Sequence, residues 1–163
     1  MNKINNLWLM HIFTPIQFGF FLWIFSHWQK KFTKYFFLAL IPAFSIFWLV
    51  AMLFFESFNN FNSYTRPLEA LLLILISGYT LYQINKEQIG SMFQTPSFWI
   101  SSGTLVYFSG MILLYALSNI LLTDSIETLR LLWAPIQTTV NVMSNLLFIG
   151  GFLCLSPRLH PQQ

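Results

Sequence analysis

The stretch Thr95–Asn119 reads TPSFWISSGTLVYFSGMILLYALSN. Thr95-Pro96-Ser97 is a helix start, because proline pre-sets φ and lacks an N–H that a first turn leaves unbonded in any case. Trp99 then stands at the polar edge of an apolar run long enough for a bilayer, which takes roughly 20 residues. Ser102-Gly103 and Ser109-Gly110 recur seven residues apart. At helical spacing, two small patches therefore stack on one face and let another helix approach closely. The run is predicted to be a packed transmembrane helix at the centre of an all-α bundle.

Composition points the same way. Of 163 residues, 56% are hydrophobic and 8% charged, against roughly 25% charged in a soluble domain. The 19 Phe, 6 Trp and 6 Tyr leave too little polar surface to cover a globule in water. Lipid is the consistent solvent. Mean hydropathy is only +0.62 because Asn, Gln and Ser are spread through the apolar runs. The formal charge of +3 comes from bases scattered at segment ends, with only Lys30, Lys31 and Lys34 clustered. That pattern is a membrane anchor facing anionic lipid, and nucleic acid is not an expected partner. Cys154 stands alone, which excludes a disulfide within the chain and a cysteine-based metal site. The start MNKINNLWLMHIF has no small-residue cleavage site and reads as a retained first helix.

Five spans are expected, at about 7–28, 35–55, 67–84, 98–121 and 129–155, in a single integral membrane domain covering 1–163. The first carries Trp8, Trp23 and Trp28 as interfacial anchors, and Pro15 removes the hydrogen bond to the His11 carbonyl. His11, Thr14 and Gln17 share about a third of that helix's circumference and should face protein. Residues 57–66 (SFNNFNSYTR) should lie at the membrane surface. Glu69 opens the third span, where the helix dipole favours a negative charge. Asp124 and Glu127 read as solvated loop and first-turn charges before the fifth span, and Arg130 is at helix spacing from Glu127 for a weak surface pair. Placing Lys30, Lys31, Lys34, Lys86 and Arg158 in the cytoplasm leaves Lys3, Arg66 and Arg130 outside, so the N-terminus is expected out and the C-terminus in.

The richest polar face is on the fifth span, where Gln137, Asn141, Ser144 and Asn145 gather within roughly a third of the wheel. Amides are costly in hydrocarbon, so this face should turn inward. The preferred reading is interhelical glue, at roughly 1 kcal/mol per contact. The sharper alternative is a polar pocket built from His11, Thr14, Gln17, Glu69, Gln137, Asn141 and Asn145. His11 is the histidine inside a span and could serve as a proton-linked switch. His27 and His160 are too distant in sequence to complete a metal site, so no metal is expected. No two carboxylates share a span, no phosphate loop occurs, and no mid-span lysine could hold a Schiff base. No catalytic residue and no cofactor are therefore assigned. The chain reads as a non-enzymatic sensory or accessory module, acting through a membrane partner protein or a second copy of itself. The alternative is a small-solute or ion transporter, and a lipid-modifying enzyme stands third.

Three runs, Leu9–Phe21 (LMHIFTPIQFGFF), Asn62–Ile74 (NSYTRPLEALLLI) and Pro96–Gly110 (PSFWISSGTLVYFSG), carry a resemblance. Together they resemble a family of bacterial multi-pass inner-membrane proteins with no assigned activity. That family shows a His-x-x-x-Pro-x-Glu-Phe motif, an Asn-Ser-Tyr loop and a Pro-x-Phe-Trp-Ile-x-x-Gly helix. The resemblance implies a bacterial inner-membrane location. Gln17 stands where the family carries glutamate, and two family helices that precede this region have no counterpart here. The resemblance thus implies a shortened member that needs a partner or self-association.

The orientation is testable by labelling. With Cys154 replaced by Ser, a cysteine at position 31 should stay unlabelled by an impermeant thiol reagent in intact cells. Labelling from outside would reverse the arrangement.

Overall fold

The computed structural model describes the backbone of residues 7–56, 62, 64–87, 91–124 and 126–155, and their side chains outside 87, 117–130, 132 and 155. Within them are the helices α1 (Leu7–Ser26), α2 (Lys31–Phe54), α3 (Thr65–Glu87), α4 (Pro96–Asp124) and α5 (Ile126–Leu155). A single 3-10 turn, Met92–Gln94, precedes α4, and no strand occurs among the described residues. All five helices are long and apolar enough to cross a membrane. The protein is all-helical and multi-pass. The helices extend past the apolar runs at several ends, since backbone hydrogen bonding continues into Lys31, Lys34 and Asp124 after hydrophobicity has stopped. Lys3, the Glu127–Arg130 pairing and the tail with Arg158 lie outside the described residues or side chains.

Each helix packs chiefly on the next in the spatial order α2, α1, α3, α4, α5. The centre is aromatic. Phe18 meets Phe44 of α2 at 4.1 Å between ring centroids, and Phe21 meets Phe108 of α4 edge-on at 5.8 Å. Leu22, Phe25, Leu73 and Met111 fill the space between them. The outside is as apolar as the inside: Leu53 is 77% exposed, Leu113 68% and Phe152 66%. His11, Thr14, Asn62, Thr65 and Glu69 are meanwhile completely buried. Exposed hydrocarbon around buried polar groups is what a lipid solvent selects, because lipid satisfies no donor or acceptor.

The seam between α4 and α5 is set by missing side chains. A Cβ at Gly103 would come within 2.7 Å of the Phe148 ring and 3.1 Å of the Ser144 carbonyl oxygen. One at Gly110 would run into Val140. Gly150 and Gly151 return the arrangement from α5, accepting Trp99 and Ile100 of α4. The two small patches therefore do meet a helix, but only through their glycines. Ser109 is exposed and Ser102 half-buried. Consecutive residues point about 100° apart on a helix, and here the glycine of each Ser-Gly pair takes the side that faces α5.

Gly110→Leu should destabilise the bundle by about 1–3 kcal/mol, the usual penalty of overpacking. Ser109→Leu should leave the unfolding midpoint nearly unchanged, as read by thermal unfolding in detergent.

Candidate functional site

The polar groups of α1 and the start of α3 meet in one buried cluster. α1 continues through Pro15. Thr14 Oγ1 donates to the Met10 carbonyl at 2.8 Å and accepts from Asn62 Nδ2 at 2.8 Å. One turn on, Gln17 Oε1 accepts from the Arg66 guanidinium at 2.7 Å. The same Arg66 nitrogen donates to Glu69 Oε2 at 3.0 Å. Arginine and glutamate three residues apart on a helix are neighbours on its surface, and α1 covers this pair. Arg66 also lies over two rings, Phe13 of α1 at 5.7 Å and Tyr115 of α4 at 5.6 Å from guanidinium carbon to centroid. Both distances fall within cation–π range.

Glu56, just past α2, completes the set. Its Oε1 accepts the backbone N–H groups of Tyr64 at 2.7 Å and Thr65 at 3.0 Å, and its Oε2 accepts the Thr65 hydroxyl at 2.9 Å. The opening N–H groups of a helix have no partner within it and carry partial positive charge. Glu56 supplies both the acceptor and the opposite charge, so it caps α3 from the end of α2. On its other side, His11 Nδ1 is 3.8 Å from Glu56 Oε2. At 1.5 Å per residue, His11 and Gln17 lie about 6 and 15 Å along α1 from its start. The cluster thus occupies one half of the bilayer thickness.

Within this group the charges do not cancel. Among the described residues it holds two carboxylates, Glu56 and Glu69, and one guanidinium, Arg66, with His11 beside them. Three buried atoms, Asn62 Oδ1, Arg66 Nε and Glu69 Oε1, have no hydrogen-bond partner among the described residues. Such groups cost roughly 1–3 kcal/mol each when left unmet.

The seven residues expected in one pocket divide into two groups. His11, Thr14, Gln17 and Glu69 come together. Gln137, Asn141 and Asn145 do not join them. Gln137 Oε1 accepts the Trp133 indole N–H from its own helix at 2.6 Å. Its partner Trp133 lies 6.2 Å, ring to ring, from Tyr115 of the cluster. Asn141 is half-buried, and Asn145 is exposed in an apolar groove with Phe20, Phe21, Ile100 and Phe148. Ser144 is buried with its hydroxyl on the Val140 carbonyl. The reason is length: the amide face runs about 12 Å down α5, away from the end that carries His11.

Glu56, Asn62, Thr65, Arg66 and Tyr115 belong to the site and were not anticipated as members. The orientation expected from the basic residues puts Glu56 on the outer side, and residues 57–66 read as a surface connection, but Glu56, Asn62, Thr65 and Arg66 are buried. The i, i+3 spacing of Arg66 and Glu69 was the available signal. No group of three or more His, Cys, Asp or Glu able to hold a metal occurs among the described residues. No family model, curated protein or solved structure matches the chain.

Removing one partner of a buried ion pair strands the other. Arg66→Met should cost about 3–5 kcal/mol. Replacing Arg66 and Glu69 together by Met and Leu should cost clearly less than Arg66→Met alone, measured by unfolding of both variants in the same detergent.

Proposed function

We propose that this chain is a non-enzymatic membrane module whose buried His11–Glu56–Arg66–Glu69 cluster binds a proton, and that it works in a sensory or accessory role through a membrane partner. The observation that supports this is the charge balance. Two carboxylates face one guanidinium in a site cut off from water, so the described groups are neutral only when they hold one further proton. A net charge in low dielectric is expensive, whereas a proton on His11 or a carboxylate removes it. The groups facing the cluster are His11 from α1, Glu56 after α2, Arg66 and Glu69 from α3, and Tyr107 and Tyr115 from α4. On α5 the side chains of Glu127 and Arg130 lie outside the described residues. Loss of the proton leaves one uncompensated carboxylate, which favours a form of the bundle that admits water. That change at the joint of α1, α2 and α3 is what a partner would read. The location belonging to this reading is the bacterial inner membrane, with the N-terminus out.

A second reading, small-solute or ion transport, draws on the three unmet atoms, Asn62 Oδ1, Arg66 Nε and Glu69 Oε1. They offer a passing ion or solute two acceptors and a donor. Two measurements separate the readings. Counted by pH titration in nanodiscs, Glu69→Gln should take up one proton fewer than the wild type between neutral and acidic pH, and equal uptake would remove the proton site. In sealed liposomes with an imposed pH gradient, the wild type should show no proton flux above that of empty liposomes. A flux abolished by Glu69→Gln would establish transport instead.

A further inference from the structure

α5 ends the spatial order of helices and packs chiefly on α4. Its span, Trp133–Cys154, is the least buried of the five, yet it carries amides. Asn145 is exposed and Asn141 half-buried, and neither has a hydrogen-bond partner among the described residues. At 1.5 Å per residue, each lies more than about 10 Å from both ends of the span. Their short side chains therefore end in hydrocarbon, which holds no donor or acceptor. Asn145 opens on a groove of about 470 Å³, lined otherwise by Phe20, Phe21 and Ile24 of α1, Ile100 of α4 and apolar residues of α5. Within that groove the chain offers the amide only rings and hydrocarbon.

We infer that α5 packs against α5 of a second copy, the two chains pairing their Asn141 and Asn145 amides about a two-fold axis along the membrane normal. Lipid cannot cover these groups, because its own polar atoms stay in the headgroup regions. The cover must be a transmembrane segment that brings donors and acceptors to the same two depths. A second copy does so by symmetry. Chains inserted in one orientation carry each residue at one depth, so Asn145 meets Asn145 and Asn141 meets Asn141. An amide is donor and acceptor at once, and each member of such a pair satisfies the other.

Spacing supports the same seam. Ala134, Thr138, Asn141, Asn145, Phe148 and Phe152 follow one another by four and three residues in alternation. That average of 3.5 keeps one stripe on the facing helix of a left-handed pair. The stripe runs about 27 Å, close to the roughly 30 Å of a hydrocarbon core, so the seam crosses the whole membrane. Ala134, Thr138, Asn145 and Phe152 are all exposed. The stripe is centred about 100° round the helix from Val140 and Ser144, which face the α4 glycines. α4 and a second copy therefore take different sides of α5. None of these residues belongs to the His11–Glu56–Arg66–Glu69 cluster, so the pairing does not depend on proton binding there.

The experiment is energy transfer between donor- and acceptor-labelled copies of the whole chain in phosphatidylcholine liposomes, over a range of protein-to-lipid ratios. The wild type should follow the curve of a dimer. Asn141→Leu with Asn145→Leu should weaken dimerisation by about tenfold, since two interhelical hydrogen-bonded pairs are lost, with helical circular dichroism unchanged. Thr139→Leu, on another side of α5, should leave the curve where it was. A crosslink that keeps both amides tests the seam whether or not the double variant folds. In a Cys154→Ser chain, Thr138→Cys should oxidise to a disulfide-linked dimer in membranes, and Thr139→Cys should not. A monomer at every ratio would overturn the inference. So would a dimer indifferent to the double Leu change, or one that crosslinks more readily through position 139.

Discussion

Arg66 is 5% exposed, yet it carries a charge that cannot be titrated away. In hydrocarbon, such a group stays buried only if its surroundings supply charge and acceptors from within the protein. Gln17 brings an acceptor from α1, Glu69 a carboxylate from α3, and Phe13 and Tyr115 bring ring faces from α1 and α4. Three helices are thus held in register by one side chain. Glu56 draws in the fourth by capping α3 from the end of α2. The packing of α1 against α3 depends on these bonds, because lipid competes with apolar contacts as well as water does with polar ones.

The fold was legible because it rests on quantities that sequence carries directly, the length and apolarity of five runs and the proline-marked start of α4. The site was legible only in part. His11, Thr14 and Gln17 are spaced for one helix face, and they share it. Their partners Glu56 and Asn62 come from the connection between α2 and α3, and Arg66 from the first turn of α3. A polar connection in a membrane protein is most economically placed in the headgroups. This one turns inward because Glu56 and the start of α3 satisfy each other at close range, a tertiary pairing that no periodicity encodes. The α5 amides failed in the opposite way. Their wheel position is amphipathic, but Gln137 is satisfied by Trp133 of its own helix, so nothing obliges the face to meet α1.

Two kinds of physics divide the bundle. On the side of α1, α2 and α3, specificity is ionic and sits at one end. Between α4 and α5 it is steric and spread along the seam, where Gly103, Gly110, Gly150 and Gly151 remove the Cβ atoms that would hold the helices apart. The joint between the halves is Tyr115. It offers one contact to Arg66 and another to Trp133, and its hydroxyl lies 3.4 Å from that of Tyr107. The ionic half can lose a proton and change its charge. Among the described side chains the steric half has no carboxylate or histidine, and the fit along its seam follows from volume. The moving part belonging to the proposed proton response is therefore the α1–α3 end, with α4 and α5 as the fixed frame.

The same division bears on the proposed orientation. Counting basic residues by sequence sets Lys30, Lys31, Lys34, Lys86 and Arg158 against Lys3, Arg66 and Arg130. The rule behind that count concerns charges in loops that must stay on one side. Arg66 is no longer such a charge, since it lies inside the bundle and is neutralised by Glu69 at 3.0 Å. Removing it widens the asymmetry. At the other end, Lys31 and Lys34 stay on the first turn of α2 with no acid in that turn. Among the described side chains Arg66 is absorbed into the protein, and the proposed N-out orientation rests on the count of the remaining basic residues.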